Sequence, residues 1–180
     1  MPDQRPDQIS RAPEPRFVEV VDSQDRPLAV LSLHAARRQR LPHRTVAAFV
    51  HTRDGKVYLP MRGPGKRLYP DHYDISLAGP VGVGTSRKET ILNLLALHVT
   101  GHGRERLTLK QSVPASQTPT NTQHSLYQVG PVDAKHILPQ RAAQSLLVSQ
   151  SELTYLMERF RETFTPRLVE AWELGIIFAQ

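Results

Sequence analysis

The chain has no cysteine at any of its 180 positions. That excludes disulfides, thiolate metal sites and a cysteine nucleophile, and makes a reducing, cytoplasmic location the simplest expectation. No window approaches the ~18 consecutive apolar residues of a membrane span. No apolar run of about 7–15 residues follows the charged N-terminus, as a secretory signal requires. A membrane is therefore not an expected partner. Carboxylates are scarce at one telling place: between Gly79 and Gly103, Glu89 is the only acid.

Basic residues are plentiful. A net charge of +6 and a pI near 10.0 favour an anionic partner. Arg37, Arg38, Arg40 and Arg44 form one cluster, and Arg62, Lys66 and Arg67 another. Only Phe49 and Tyr58 closely follow the first cluster, which leaves little stacking surface for single strands, so nucleic acid is not the expected partner.

A chain of this length fits one domain plus trimmings. Residues 1–16 hold four prolines and no large apolar residue but Ile9, and are read as a disordered N-terminal tail preceding a domain over 17–180. "FVEVVD" and "PLAVLSL" predict a hairpin, followed by a short polar helix in "HAARRQR". "TVAAFVHT" and "KVYLPMR", joined by an Asp-Gly signal, predict a second hairpin. "GPGKRLYPDHY" is a loop, because its prolines and glycines deny it regular hydrogen bonding. A strand in "DISLAGPVGVG" enters a Gly-rich turn, and Thr85 or Ser86 can cap a helix over 87–99. "RLTLKQSVP" and "HSLYQVGPV" predict two further strands, while "AKHILPQRAAQ" stays ambiguous. Ser149 with Glu152 forms a capping box, and Thr165–Pro166 starts a last helix, "RLVEAWELGIIF". Mixed strand pairs and about three helices without βαβ alternation predict an α+β fold, a mixed sheet sandwiched between helices.

These segments carry a resemblance. "EVVDSQDRPLAV", "PHRTVAAFVHTRDGKVYLPMR", "YPDHYDISLAGPV" and "FTPRLVEAW" occur in the order and spacing of Nudix-fold proteins of the isopentenyl-diphosphate-isomerase-like branch. The similarity runs from Phe17 to Phe178. It implies the Nudix fold and, for a typical member, Mg²⁺-dependent hydrolysis of a nucleoside diphosphate linked to a second group. The family's box reads Gly, five residues, Glu, seven residues, then Arg-Glu-hydrophobic-x-Glu-Glu-x-Gly. With its first Gly on Gly79, the glutamate positions fall on Thr85, Leu94, Leu97 and His98, the arginine on Asn93, and the last Gly on Thr100. The box is thus degenerate at every acidic position. On an unbroken helix, 94, 97 and 98 share one face, where glutamates would offer hard oxygens to Mg²⁺. Leucines offer no lone pairs, and a lone imidazole suits softer metals. Glu89 lies nine residues from His98, about 13 Å along a helix, and cannot substitute. The isomerase's Cys and one of its His positions fall on Ala78 and Pro80, and a later Glu on Gln123. Only His43 matches a ligand position.

The expectation is therefore a Nudix-fold protein without metal-dependent hydrolysis, with no catalytic residue and no cofactor, which acts by binding a phosphorylated small molecule or a protein. Arg62 and Lys66 match a basic pair of the isomerase-like branch and are candidates to meet a diphosphate. Gly79, Gly82 and Gly84 either hold a phosphate on backbone N–H groups or shape a tight turn. The alternative is an active hydrolase with a displaced Mg²⁺ site using Asp71, Asp74 or Glu152. His98 and His102, four apart, would bind Zn²⁺ only if the helix continued through them. Finally, "ILNLLALHV" is apolar around nearly its whole circumference. Two readings stand: plain internal packing, or a face covered by the C-terminal helix or by a second subunit in a homodimer.

Overall fold

The computed structural model describes residues 14–101, 105–118, 121–138 and 145–178. The first thirteen residues of the expected tail and His102 lie outside these. Glu14–Arg16 are placed against the domain: Glu14 pairs with Arg37, and the Arg16 carbonyl accepts from the Leu33 N–H.

Strand β1 (Phe17–Val21) pairs antiparallel with β2 (Pro27–Ser32), and Ser32 caps α1 (Leu33–Arg38) by accepting from the Ala35 N–H. β3 (His43–Thr52) and β4 (Val57–Pro60) form the Asp-Gly hairpin, with Gly55 at φ 78° in the turn. β3 is the centre of the sheet. One of its edges receives β1, then β5 (Leu77–Pro80), then β4, all antiparallel. Its other edge runs parallel to β7 (Thr122–Val132), which also carries β6 (Arg106–Val113). β8 (Ser145–Val148) pairs with β4 and was not foreseen.

Alternation along β3 divides the core into two layers. Ala47 and Phe49 face α3 (Gln150–Arg159) and α4 (Pro166–Glu173) through Leu153, Met157, Leu168 and Val169. Val46, Ala48 and Val50 face α2 (Arg87–Leu95) through Ile91 and Leu95. The sheet is therefore sandwiched between helices, as expected for an α+β fold of this kind. α4 lies on the opposite face of the sheet from α2, so the C-terminal helix does not cover the apolar helix.

Three sequence expectations are corrected. α2 ends at Leu95 rather than Val99. From Val99 the chain pairs with 136–138 instead, through Thr100 N–H to the His136 carbonyl and Leu138 N–H to the His98 carbonyl. α2 is not buried all round: Ile91 and Leu95 are fully buried, Leu92 and Leu94 are half-buried, and Asn93 is exposed. The last helix stops at Glu173, two residues before Gly175 at φ 66°, and does not reach Phe178.

Candidate functional site

The box positions are the natural place to look for chemistry. Thr85 lies in the turn before α2, where its N–H donates to the Gly82 carbonyl. Ser86 is the N-cap, and its hydroxyl accepts from the Glu89 N–H while the Glu89 carboxylate accepts from the Ser86 N–H at 2.7 Å. These bonds hold the Glu89 carboxyl below its ordinary range. The one acid of this segment is thus the anion at its own helix N-terminus. Arg87 pairs with Asp25, which Arg44 also contacts.

Leu94 rests on β5: a Cβ on Gly79 would stand 3.3 Å from Leu94 Cδ1, so glycine permits this close approach. Leu97 and His98 fall in the turn after α2, not on its face. His98 Nδ1 and the hydroxyl of fully buried Tyr58 are 3.1 Å apart, so the imidazole satisfies a buried phenol. This donor set of hydrocarbon and one committed imidazole does not fit Mg²⁺. Among the described residues, no group of three or more His, Asp or Glu is arranged to hold a metal ion. Helical continuity from His98 to His102, needed for a zinc pair, ends at Leu95. Of the three glycines, only Gly84 requires its left-handed φ, at 74°. Gly79 is mid-strand, and a Cβ on Gly82 would meet Pro15 at 2.9 Å.

A different cluster forms on the other face of the sheet. Asp74, 4% exposed, follows the 63–72 loop. Its carboxylate accepts from Arg62 Nη1 at 2.7 Å, Arg167 Nε at 2.7 Å, the Thr165 hydroxyl at 2.8 Å and the Ile75 N–H at 2.8 Å; Arg167 Nη2 adds a second bond. Burial alone would raise its pKa, but the bonds and charge of Arg167, then those of Arg62 and Thr165, outweigh burial and hold it at about 2. Arg62 also donates through Nε to the Leu68 and Tyr69 carbonyls and so ties down the loop that carries Lys66. Lys66 itself is exposed there, and its N–H bonds the Gly63 carbonyl.

The charge of Arg167 reaches β7. His124 is held below its ordinary pKa first by burial and then by Arg167, and its Nδ1 lies 3.0 Å from the Thr45 hydroxyl. Thr45 sits between Pro80 and His124, and Ala47 in the next row between Ala78 and Leu126. The result is a shelf of Ala78, Thr45 and neutral His124 beside two guanidiniums that share one carboxylate. Gln123 points to the opposite face and accepts from the Ala115 N–H. His43, buried, engages the Leu41 carbonyl.

Sequence reasoning named Arg62 and Asp74 but gave them other partners and missed Arg167, His124 and Thr45. The displaced-metal acids are accounted for as follows: Asp74 is enclosed by two arginines, Glu152 closes the capping box of α3 with Ser149, and Asp71 is exposed at φ 56°. In the Arg37–Arg44 cluster, Arg37 is paired with Glu14 and Arg44 with Glu19 and Asp25. Among the described residues, no helix is long and apolar enough to cross a membrane.

No family model and no curated protein matches the chain by sequence. Solved structures do match. The crystal structure of the DR0079 protein of Deinococcus radiodurans is similar at a TM-score of 0.69 and 20% identity, over 89% of this chain and 99% of that one. The solution structure of the same protein, described as a hypothetical Nudix protein, matches at a TM-score of 0.51 and 17% identity, over 92% and 96%. A MutT protein from Methanosarcina mazei Go1 matches at 0.56 and 17%, over 74% and 91%. The order of strands and helices around the shelf is thus that of the Nudix fold.

Proposed function

We propose that this chain, by its sequence pattern a relative of the isopentenyl-diphosphate-isomerase-like branch, binds a phosphorylated small molecule on the Arg62–Arg167 shelf and does not hydrolyse it by a divalent-metal route. One observation carries the reading. Where the resemblance aligns the magnesium-holding glutamates, the chain has Leu94, Leu97 and a His98 whose Nδ1 is engaged by Tyr58.

The anion-binding half rests on charge. Two guanidiniums against one carboxylate leave a surplus of one positive charge in a half-buried setting, where it acts more strongly than in bulk water. Arg62 Nη2 and Arg167 Nη1 remain outside the Asp74 contacts, and Asp74 holds both forks in place before any ligand arrives. Thr45 and neutral His124 add a hydroxyl and an imidazole as hydrogen-bonding partners.

The test is calorimetric titration of inorganic pyrophosphate and a panel of nucleoside diphosphates in EDTA, beside a phosphate- and nucleotide-release assay in Mg²⁺ or Mn²⁺. Binding in EDTA that weakens at least ~10-fold in Arg167→Ala, with no metal-dependent release, is the expected result. Metal-dependent turnover overturns the non-hydrolytic half. A flat titration in EDTA across the panel overturns the binding half.

A further inference from the structure

Leu68 and Tyr69 are the one place among the described residues where two large hydrophobic side chains adjoin and both stand in solvent, 59% and 46% exposed. Lys66 and Arg67 precede them, also exposed, and the chain holds no acid between Asp54 and Asp71. The loop thus presents bare hydrocarbon and positive charge together. It is also ordered in advance. Arg62 Nε donates to the Leu68 and Tyr69 carbonyls, the Asp71 N–H to the Arg62 carbonyl, and the Lys66 N–H to the Gly63 carbonyl. Little conformational entropy is left to lose when the loop is bound.

A surface of opposite character lies near it. Phe164, Pro166 and Val169 line a shallow apolar depression of about 490 Å³ between the turn Arg161–Thr163 and α4. Its rim is acidic. Glu173 is bound to Arg161, while Glu162 and Glu170 are exposed and have no ion-pair partner among the described residues. Tyr73 fixes how loop and depression lie. It bridges to Met61 and to Phe164, with its N–H donating to the Thr163 carbonyl and its carbonyl accepting from the Thr165 N–H. The loop springs from the first bridge and the depression borders the second. They are therefore neighbours on one frame, and the exposure of Leu68 and Tyr69 shows that the loop does not fill the depression of its own chain.

We propose that loop and depression are the two halves of a symmetric homodimer contact: Leu68 and Tyr69 of each copy enter the depression of the other, and the cations of the loop face Glu162 and Glu170. Two complementary patches side by side are what an isologous contact needs, because one two-fold axis makes both contacts at once and closes the assembly. A second copy brings hydrocarbon to hydrocarbon and cation to anion. The contact is of the small class, below about 1,200 Å² in total, so the dimer is weak and concentration-dependent. Its charged rim also makes it weaken with salt.

Sedimentation velocity from ~1 to ~200 μM in ~50 mM salt tests this. The expected result is a shift from the 20.3 kDa monomer toward twice that mass. Leu68→Asp, at an exposed position, should weaken the dimer at least ~10-fold with unchanged circular dichroism. Charge reversal then identifies the partners. Arg67→Glu alone and Glu170→Lys alone should each weaken it by ~5-fold or more, and a chain carrying both should recover most of that loss, which a folding defect would not do. A wild-type monomer throughout the range, a Leu68→Asp dimer as strong as wild type, or a double variant no stronger than either single one overturns the inference.

Discussion

Replacing Asp74 with Asn tests the central electrostatic claim of the candidate site. The wild-type carboxyl titrates at about 2 against an ordinary 3.8, a depression of about 1.8. At 1.36 kcal/mol per unit this corresponds to roughly 2.5 kcal/mol of stability linked to ionisation. The folded value lies below the unfolded one. This stability is therefore present at neutral pH, begins to fall as the pH drops below about 5, and is gone below about 2. Asn keeps the shape and one acceptor but leaves Arg62 and Arg167 without their counter-ion. Removing one partner of a buried pair costs about 3–5 kcal/mol. Arg62 and Arg167 side chains are 22% and 44% exposed, so both can regain water, and the low end, about 3 kcal/mol, is expected. Urea unfolding of both proteins at pH 7 and at pH 2.5 reads the effect. The gap between them should be about 3 kcal/mol at pH 7 and fall by most of the 2.5 kcal/mol at pH 2.5. A gap of the same size at both values would refute the reasoning, because the stabilisation would then not depend on the carboxylate's charge.

Three further outcomes follow from local geometry. Ser86→Ala, which removes the hydroxyl that caps α2, should destabilise by about 1 kcal/mol in urea unfolding. Gly84→Ala forces a Cβ into a φ of 74° with open space around it, so it should cost about 1 kcal/mol through the backbone alone, with no loss of packing. His124 has its folded pKa lowered from 6.5, so the unfolded chain binds the proton more readily. Stability should rise with pH up to about 6.5, and His124→Gln should flatten that rise in a series of thermal melts.

What the sequence revealed and what it concealed divide by distance along the chain. The Asp-Gly hairpin of β3 and β4 and the capping boxes at Ser86 and Ser149 depend on residues within a few positions of one another, and local chemistry specifies them. β8 is four residues, "SLLV", an apolar run too short to carry a period. The end of α2 was misjudged because apolar character continues through Val99, although there it serves a bridge to Ile137 rather than another helical turn. The shelf was the hardest to see. Asp74 and Arg167 are 93 residues apart, and no spacing rule links them. The available signal was the pair of quoted segments "YPDHYDIS" and "FTPRLVEAW", which lie side by side: Thr165 N–H donates to the Tyr73 carbonyl, and Tyr73 N–H donates to the carbonyl of Thr163, just before the second segment.

The apolar character of the 91–99 segment has a thermodynamic logic of its own. Glutamates clustered within one or two turns of a helix end repel one another unless a cation neutralises them, so a box that holds metal links the helix's stability to that metal. With Leu94 on Gly79, His98 on Tyr58 and Glu89 turned to its own N-cap, each group is satisfied within the chain. Ile91, Leu95 and Val99, at most 1% exposed, anchor the segment by burial alone, which needs no ion. Once the hydrocarbon is in place, restoring a single carboxylate would bring an unpaired charge to a half-buried position without supplying the two or three oxygens a hard cation requires. Hydrocarbon at these positions is therefore self-reinforcing, and under the proposed function ligand recognition falls to Arg62 and Arg167 on the opposite face of the sheet.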